Sequence, residues 1–182
     1  MWYSTSAQRD KPSLPIKISI LQQSVDLPSF RFLNYSIKPA ATIGTEYRLG
    51  RGKNHDWHLS GDVGFYFHRQ LRTAVFARAG IGYRRYFGRF NFSARVLAGS
   101  ALVFATEPVY GFQDGTYTEV KNSGQLVFMP SADISLAYRL KQNELAPELF
   151  LSYQIAIDSP FSPAATLPHL FVGGGLLFYP FQ

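Results

Sequence analysis

The chain contains no cysteine. Disulfide frameworks, zinc–thiolate sites and cysteine nucleophiles are therefore excluded. No run approaches 18 consecutive apolar residues, so no helix of transmembrane length is encoded. Charge is sparse: Asp, Glu, Lys and Arg make up 16% of the 182 residues, against about 25% in an ordinary globular chain. The 18 basic residues behind the net charge of +6 are scattered, and no Lys/Arg block marks a nucleic-acid footprint. The opening Met1-Trp2-Tyr3-Ser4 lacks the basic and apolar regions of a secretory signal. Thr5-Ser6-Ala7 before Gln8 has the small-residue character of a cleavage-site tail, which points to a processed N-terminus. Helical periodicity is also missing, since no segment of ten or more residues carries an apolar helical stripe.

What is present in quantity is aromatic and alternating. Aromatic residues reach 16%, with 16 Phe and 11 Tyr. That excludes intrinsic disorder, which goes with few aromatics and many charges. Along the chain the dominant period is two. Ala41, Ile43, Thr45, Tyr47 and Leu49 fall on one face, and Thr42, Gly44, Glu46 and Arg48 on the other. Trp57, Leu59, Val63, Phe65 and Phe67 oppose His58, Ser60, Asp62, Tyr66 and His68. In 147–157 the odd positions are apolar or Tyr. Successive side chains of a strand point to opposite faces, so each such segment reads as a strand.

Eight segments follow, at about 15–24, 40–50, 56–68, 73–86, 90–105, 128–140, 146–158 and 169–181. Turns fall at Arg51–Asn54, Gly88-Arg89 and Lys141–Asn143, and proline-rich breaks precede Ala40 and His169. Connections after segments two, four and six are short, and those after one, five and seven are longer. An up-and-down barrel in an outer membrane has short periplasmic turns and long outer loops. With both termini in the periplasm, only the connection Arg69 to Arg72 is shorter than that scheme asks. The expected organisation is one domain: a periplasmic segment over 1–14, then a barrel over 15–182.

The even-numbered segments end alike. They close on Tyr47-Arg48, Tyr83-Arg84, Tyr138-Arg139 and Phe178-Tyr179. Tyr47, Tyr83, Tyr138 and Tyr179 are thus expected at one height on the outside, as an aromatic girdle at the lipid–water boundary. The polar faces carry Lys17, Glu46, Arg48, Asp62, Arg78, Arg84, Arg95, Asp133, Arg139 and Glu148, near charge balance and spaced by serines. A water-facing surface would be denser in Lys and Glu. The excess of Arg, whose planar fork suits packed ion pairs, places this set in the lumen. Lipid then meets the apolar face. Eight strands leave room only for side chains, so a packed salt-bridge network is expected rather than a channel. A soluble, lipocalin-like barrel with the apolar face inward around an apolar ligand is the opposite reading.

These features resemble the small eight-stranded outer-membrane barrels of Gram-negative bacteria, the OmpA/OmpX-type class. The resemblance covers almost the whole chain. It rests on the eight amphipathic segments, the repeated Tyr-Arg ends and the terminal Leu177-Phe178-Tyr179-Pro180-Phe181. It implies lipopolysaccharide and phospholipid as surroundings and the barrel-assembly machinery as a partner during biogenesis. Pro180 and the trailing Gln182 depart from the terminal signal. The prolines and the Gly44-Thr45-Glu46-Tyr47-Arg48 style are also similar to Bacteroidetes envelope barrels.

His58-Leu59-Ser60 resembles the His-x-Ser pair of PagL-type lipid A deacylases, with Asp56 or Asp62 to orient the imidazole. In that family the pair faces lipid and an Asn follows the Ser. Here the phase is inward and Gly61 follows. His55 and His58 point to opposite faces of a strand, so they do not form a metal site with Asp56. No cofactor is called for. Ala77, Ala79, Ala94, Ala98 and Ser100 form an outward patch of small residues, where a second outer-membrane protein would dock closely. The loop Thr106–Gln125 is a further contact surface. The expected role is non-enzymatic: a structural or interaction protein, an accessory subunit of an envelope complex. The enzymatic alternative is a lipid-A-modifying hydrolase using His58 and Ser60.

Overall fold

A computed structural model describes residues 14–24, 38–68, 72–105, 109–113, 116–120, 124–141, 145–159 and 166–180. The alternating segments form strands: β1 Ile16–Ser24, β2 Pro39–Arg51, β3 His55–His68, β4 Arg72–Phe87 and β5 Phe90–Ala105. They are followed by β6 Val109–Gln113, β7 Thr116–Val120, β8 Gln125–Phe128, β9 Ser131–Arg139, β10 Glu148–Asp158 and β11 Leu167–Phe178. Each long strand hydrogen-bonds antiparallel to its neighbours, and β1 pairs with β11 as β4 pairs with β5. The sheet therefore closes into a barrel of eight staves, β8 and β9 together forming one. Closure matters because hydrocarbon offers nothing to hydrogen-bond an open edge.

The sixth expected segment is broken at Met129-Pro130. Proline has no N–H to give a ladder. The pairing nevertheless runs through the break: Met129 N–H donates to Gly99 C=O at 2.9 Å and Ile157 N–H to Pro130 C=O at 3.0 Å. Strands β6 and β7 pair only with each other, a hairpin within the 106–125 loop.

The ends differ as the connection lengths foretold, with one exception. At the end where β1 starts and β11 stops, the β2–β3 turn is Gly52–Asn54 and the β4–β5 turn is Gly88-Arg89. Gly88 holds φ of +64° there, a left-handed turn position that favours glycine. The third connection at this end, 140–147, is longer than expected. It is closed at its base by Leu140 N–H to Pro147 C=O at 3.0 Å. This is the lower end of the barrel. The N-terminal segment before Leu14 lies outside the described residues.

Candidate functional site

Among the described residues, chemistry-bearing side chains converge in the lumen. By parity, every second residue of each stave points inward, and the barrel is too narrow to leave those residues in bulk water. Among the described residues, Lys17, Arg72, Arg78, Arg84, Arg95 and the largely buried Arg139 meet Glu46, Asp56, Asp62, Asp133, Glu148 and Asp158, six cations against six carboxylates. Burying such charges is tolerable only when each is paired and hydrogen-bonded.

The pairing is cross-strand. Glu46 on β2 receives Arg84 from β4 and Lys17 from β1 at 3.5 Å, with Arg95 at 4.0 Å. Arg95 Nε donates to Asp133 Oδ1 at 3.0 Å. Arg78 uses its whole fork: Nε to Asp62 Oδ1 at 2.9 Å, Nη1 to Ser131 Oγ and Nη2 to Gln154 Oε1, each at 3.2 Å. One guanidinium thus ties β3, β4, β9 and β10 together. Arg139 donates twice to Glu148 Oε1, at 3.0 and 2.9 Å, and Asn91 donates to Glu148 Oε2 at 2.8 Å.

Above this network the lumen is apolar. Tyr66, Phe76, Phe171, Met129, Val103 and Val127 pack with four alanines and Leu21. Ring centroids of Tyr66, Phe76 and Phe171 lie 5.8–6.3 Å apart. Above the plug sits a polar knot on Asp158, which is fully buried. Asp158 accepts from Arg72, from Tyr66 Oη at 3.2 Å and from His169 Nε2 at 2.9 Å. Gln23 Nε2 donates to His169 Nδ1 at 2.7 Å.

Glycine makes this packing possible at two places. A Cβ on Gly82 would stand 2.3 Å from His58 Nε2. A Cβ on Gly175 would stand 1.9 Å from Ile18 C=O and 2.7 Å from the Phe150 ring. The Gly173–Gly175 run is therefore where β11 presses against β1 and the inward Phe150.

The sequence-derived set divides as follows. Nine of the ten lumen residues are inward and wholly or largely buried. The exception, Arg48, has a 37%-exposed side chain 3.5 Å from Asp56. A β-bulge at Arg48–Gly50 breaks the alternation there, at the rim. Tyr47, Tyr83 and Tyr138 lie on the outer side, Tyr83 against Trp57 and Tyr138 against Phe90. Tyr179 does not join them. It shares the parity of buried Leu177 and packs on the inner cluster of Ala137, Phe150 and Leu177. Ala77, Ala79, Ala98 and Ser100 are exposed, and Ala94 is half-buried beside Tyr83.

His58 and Ser60 are both buried in the lumen, at 2% and 3% exposure. His58 Nδ1 donates to Asp56 Oδ1 at 3.3 Å, and Tyr86 also donates to Asp56. Ser60 Oγ turns the other way, to Gly80 C=O at 3.5 Å. Asp62, the other candidate orienter, is held by Arg78. A base–nucleophile pair is thus not assembled, and both side chains face the lumen rather than the outer face. His55 is exposed and stacks on Tyr83, so it stands apart from Asp56 and His58. A cavity beside Lys17, Thr42, Asp62 and Arg95 has about 10 Å³, room for roughly one water.

The outside completes the picture. Ile20, Leu126, Leu151 and Val96 are 67–75% exposed, and Ile43, Leu59, Val63, Phe65, Ile81 and Ile134 are about half exposed. A soluble barrel would reverse this arrangement, so the lipocalin-like reading fails on the distribution of apolar residues.

Comparison with solved structures bears on shape alone. The crystal structure of Neisserial surface protein A superposes with a TM-score of 0.53 at 9% identity, over 91% of this chain and 95% of that one. The Yersinia pestis outer membrane protein Ail in a phospholipid bilayer nanodisc gives 0.49 at 12% identity, over 92% and 100%. Ail in complex with the heparin analogue sucrose octasulfate gives 0.45 at 12%, over 91% and 97%. The fold is that of the small eight-stranded outer-membrane barrels. At such identities the likeness speaks for architecture alone. No protein-family model and no curated protein matches the sequence.

Sequence reasoning missed the knot of Asp158, His169, Arg72, Tyr66 and Gln23. His68 and His169 are both buried. Parity was the available signal. Asp158 has the phase of Glu148 and Gln154, and His169 that of Phe171.

Proposed function

We infer that this chain is a non-enzymatic outer-membrane barrel with a structural or protein-interaction role, its termini in the periplasm. The observation that supports this reading most is the filled, charge-balanced lumen, sealed in its upper half by aromatic rings. A pore needs a wet path and an enzyme needs an accessible substrate site. This lumen favours neither. Work at the membrane is left to the outer face and the loops.

The outer face has one unusual strip. Thr45, Gly61, Ala79 and Ala98 are successive cross-strand partners on β2, β3, β4 and β5. Ala77 and Ser100 pair directly beside them. Small side chains let a second membrane protein approach the backbone closely. The docking partner is another outer-membrane protein, with this chain as an accessory subunit. The barrel-assembly machinery is the partner during insertion, reading the apolar C-terminal strand.

The test is Ala79→Phe with Ala98→Phe, expressed in the native envelope and purified in mild detergent. The reading predicts that a defined stoichiometric partner of the native protein is lost, while the heat-shifted band of the folded barrel persists. Unchanged partner stoichiometry contradicts it.

A further inference from the structure

Among the described residues, charge is sorted by position. Every acidic residue whose side chain is described is buried: Glu46, Asp56, Asp62, Asp133, Glu148 and Asp158. The exposed charged side chains in the same set are all cations: Arg48, Lys53, Arg85, Arg89 and Lys141. All five sit at the lower end, on or beside the β2–β3, β4–β5 and β9–β10 connections. Arg48 reaches back to Asp56, which leaves Lys53, Arg85, Arg89 and Lys141 as the outward set.

These cations border the aromatic belt. Tyr47, Trp57, Phe87 and Phe90 are exposed at this end. The Arg85 guanidinium lies 5.5 Å from the Phe87 ring centre, and Arg89 donates to Tyr138 Oη at 3.2 Å. Both guanidiniums are therefore anchored where ring gives way to water, the depth at which lipid phosphates lie. The turns beside them are three and two residues long, so nothing lifts Lys53 or Arg89 far from that plane. A guanidinium donates two parallel hydrogen bonds to a phosphate, and an ammonium pairs with it as a point charge.

We propose that this cationic rim binds the phosphate groups of anionic glycerophospholipids in the adjoining leaflet, fixing the barrel's depth and tilt. The proposal rests on the barrel spanning a bilayer with its termini on the phospholipid side. It does not depend on the small-residue docking strip. Lipopolysaccharide carries the same phosphate chemistry in the opposite leaflet, so the test separates the two sources.

The full chain is reconstituted in nanodiscs rich in phosphatidylcholine with a minority of phosphatidylglycerol. Retained lipids are then counted by native mass spectrometry. The comparison protein is the quadruple variant K53Q/R85Q/R89Q/K141Q, and a parallel arm replaces phosphatidylglycerol with lipopolysaccharide. The native chain is expected to retain phosphatidylglycerol about fivefold above the bulk ratio. The variant, still giving the heat-shifted band, falls to the bulk ratio. A native ratio equal to bulk overturns the proposal, as does a variant that keeps the excess. An excess only in the lipopolysaccharide arm overturns the glycerophospholipid assignment. Failure of both proteins to insert would overturn the bilayer reading itself and is distinguishable by the missing heat-shifted band.

Discussion

The two halves of the lumen are filled by different physics. Below, Glu46, Asp62, Asp133 and Glu148 are each held by a cation from another strand. Above, Tyr66, Phe76, Phe171 and Met129 fill the same cross-section with apolar volume. Apolar filling is non-directional and scales with area. Ionic filling is directional and unforgiving, because a lost partner leaves a bare charge in low dielectric. The lower half should therefore punish chemical change at constant volume, and the upper half should tolerate it. Asp158 is the instructive exception, a lower-half device set above the apolar plug.

The sharpest break of this contrast is Glu46→Ala, which strands Lys17 and Arg84. Destabilisation of about 3–5 kcal/mol is expected, read from urea unfolding of the barrel in lipid vesicles. A companion double variant, Asp62→Leu with Arg78→Met, should cost less than Asp62→Leu alone, since an ion pair replaced whole leaves no orphan charge. A double variant as damaging as the single would break the contrast.

Next in size is the outer face. Val63→Arg is expected to cost about 2–4 kcal/mol in the same assay. Its inward neighbour Asp62 carries charge because Arg78 offsets the cost of burying it. Smaller again is Tyr66→Phe. It removes one hydrogen bond to a buried carboxylate and should cost about 1.5–3 kcal/mol. The loss should be additive with changes at Glu46 if the two halves are independent. The smallest is Met129→Leu, a near-isosteric change inside the plug, expected below about 1.5 kcal/mol. A Met129→Leu loss larger than that of Glu46→Gln would reverse the ranking of the halves.

Much of this was legible in the sequence because period two reports both strand and face. The eight segments, the inward charges and the outward Ile, Val and Phe all follow from one parity. Where parity was not applied, the reading failed. Tyr179 was grouped with Tyr47, Tyr83 and Tyr138 by its place at a strand end, yet it shares phase with Leu177 and turns inward. Arg48 was placed in the lumen because alternation hides a bulge. Pro130 splits a stave that reads as continuous. The Asp158 knot escaped because its members come from five strands' ends, next to proline-rich breaks where strand limits are hardest to set. Only closure of the barrel brings Gln23, Tyr66, Arg72, Asp158 and His169 together.

The central claim is that alternate residues meet hydrocarbon and a sealed interior. The absence of native cysteine allows a direct measurement, with single spin labels placed along β3 in reconstituted bilayers. Labels at Leu59, Val63 and Phe65 should collide with dissolved oxygen and be shielded from an aqueous nickel complex. Labels at the inward-facing Ser60 and Tyr66 should be shielded from both. Nickel-complex access at position 63, with oxygen-rich access at position 66, would place water outside and the apolar phase within, and would contradict the account.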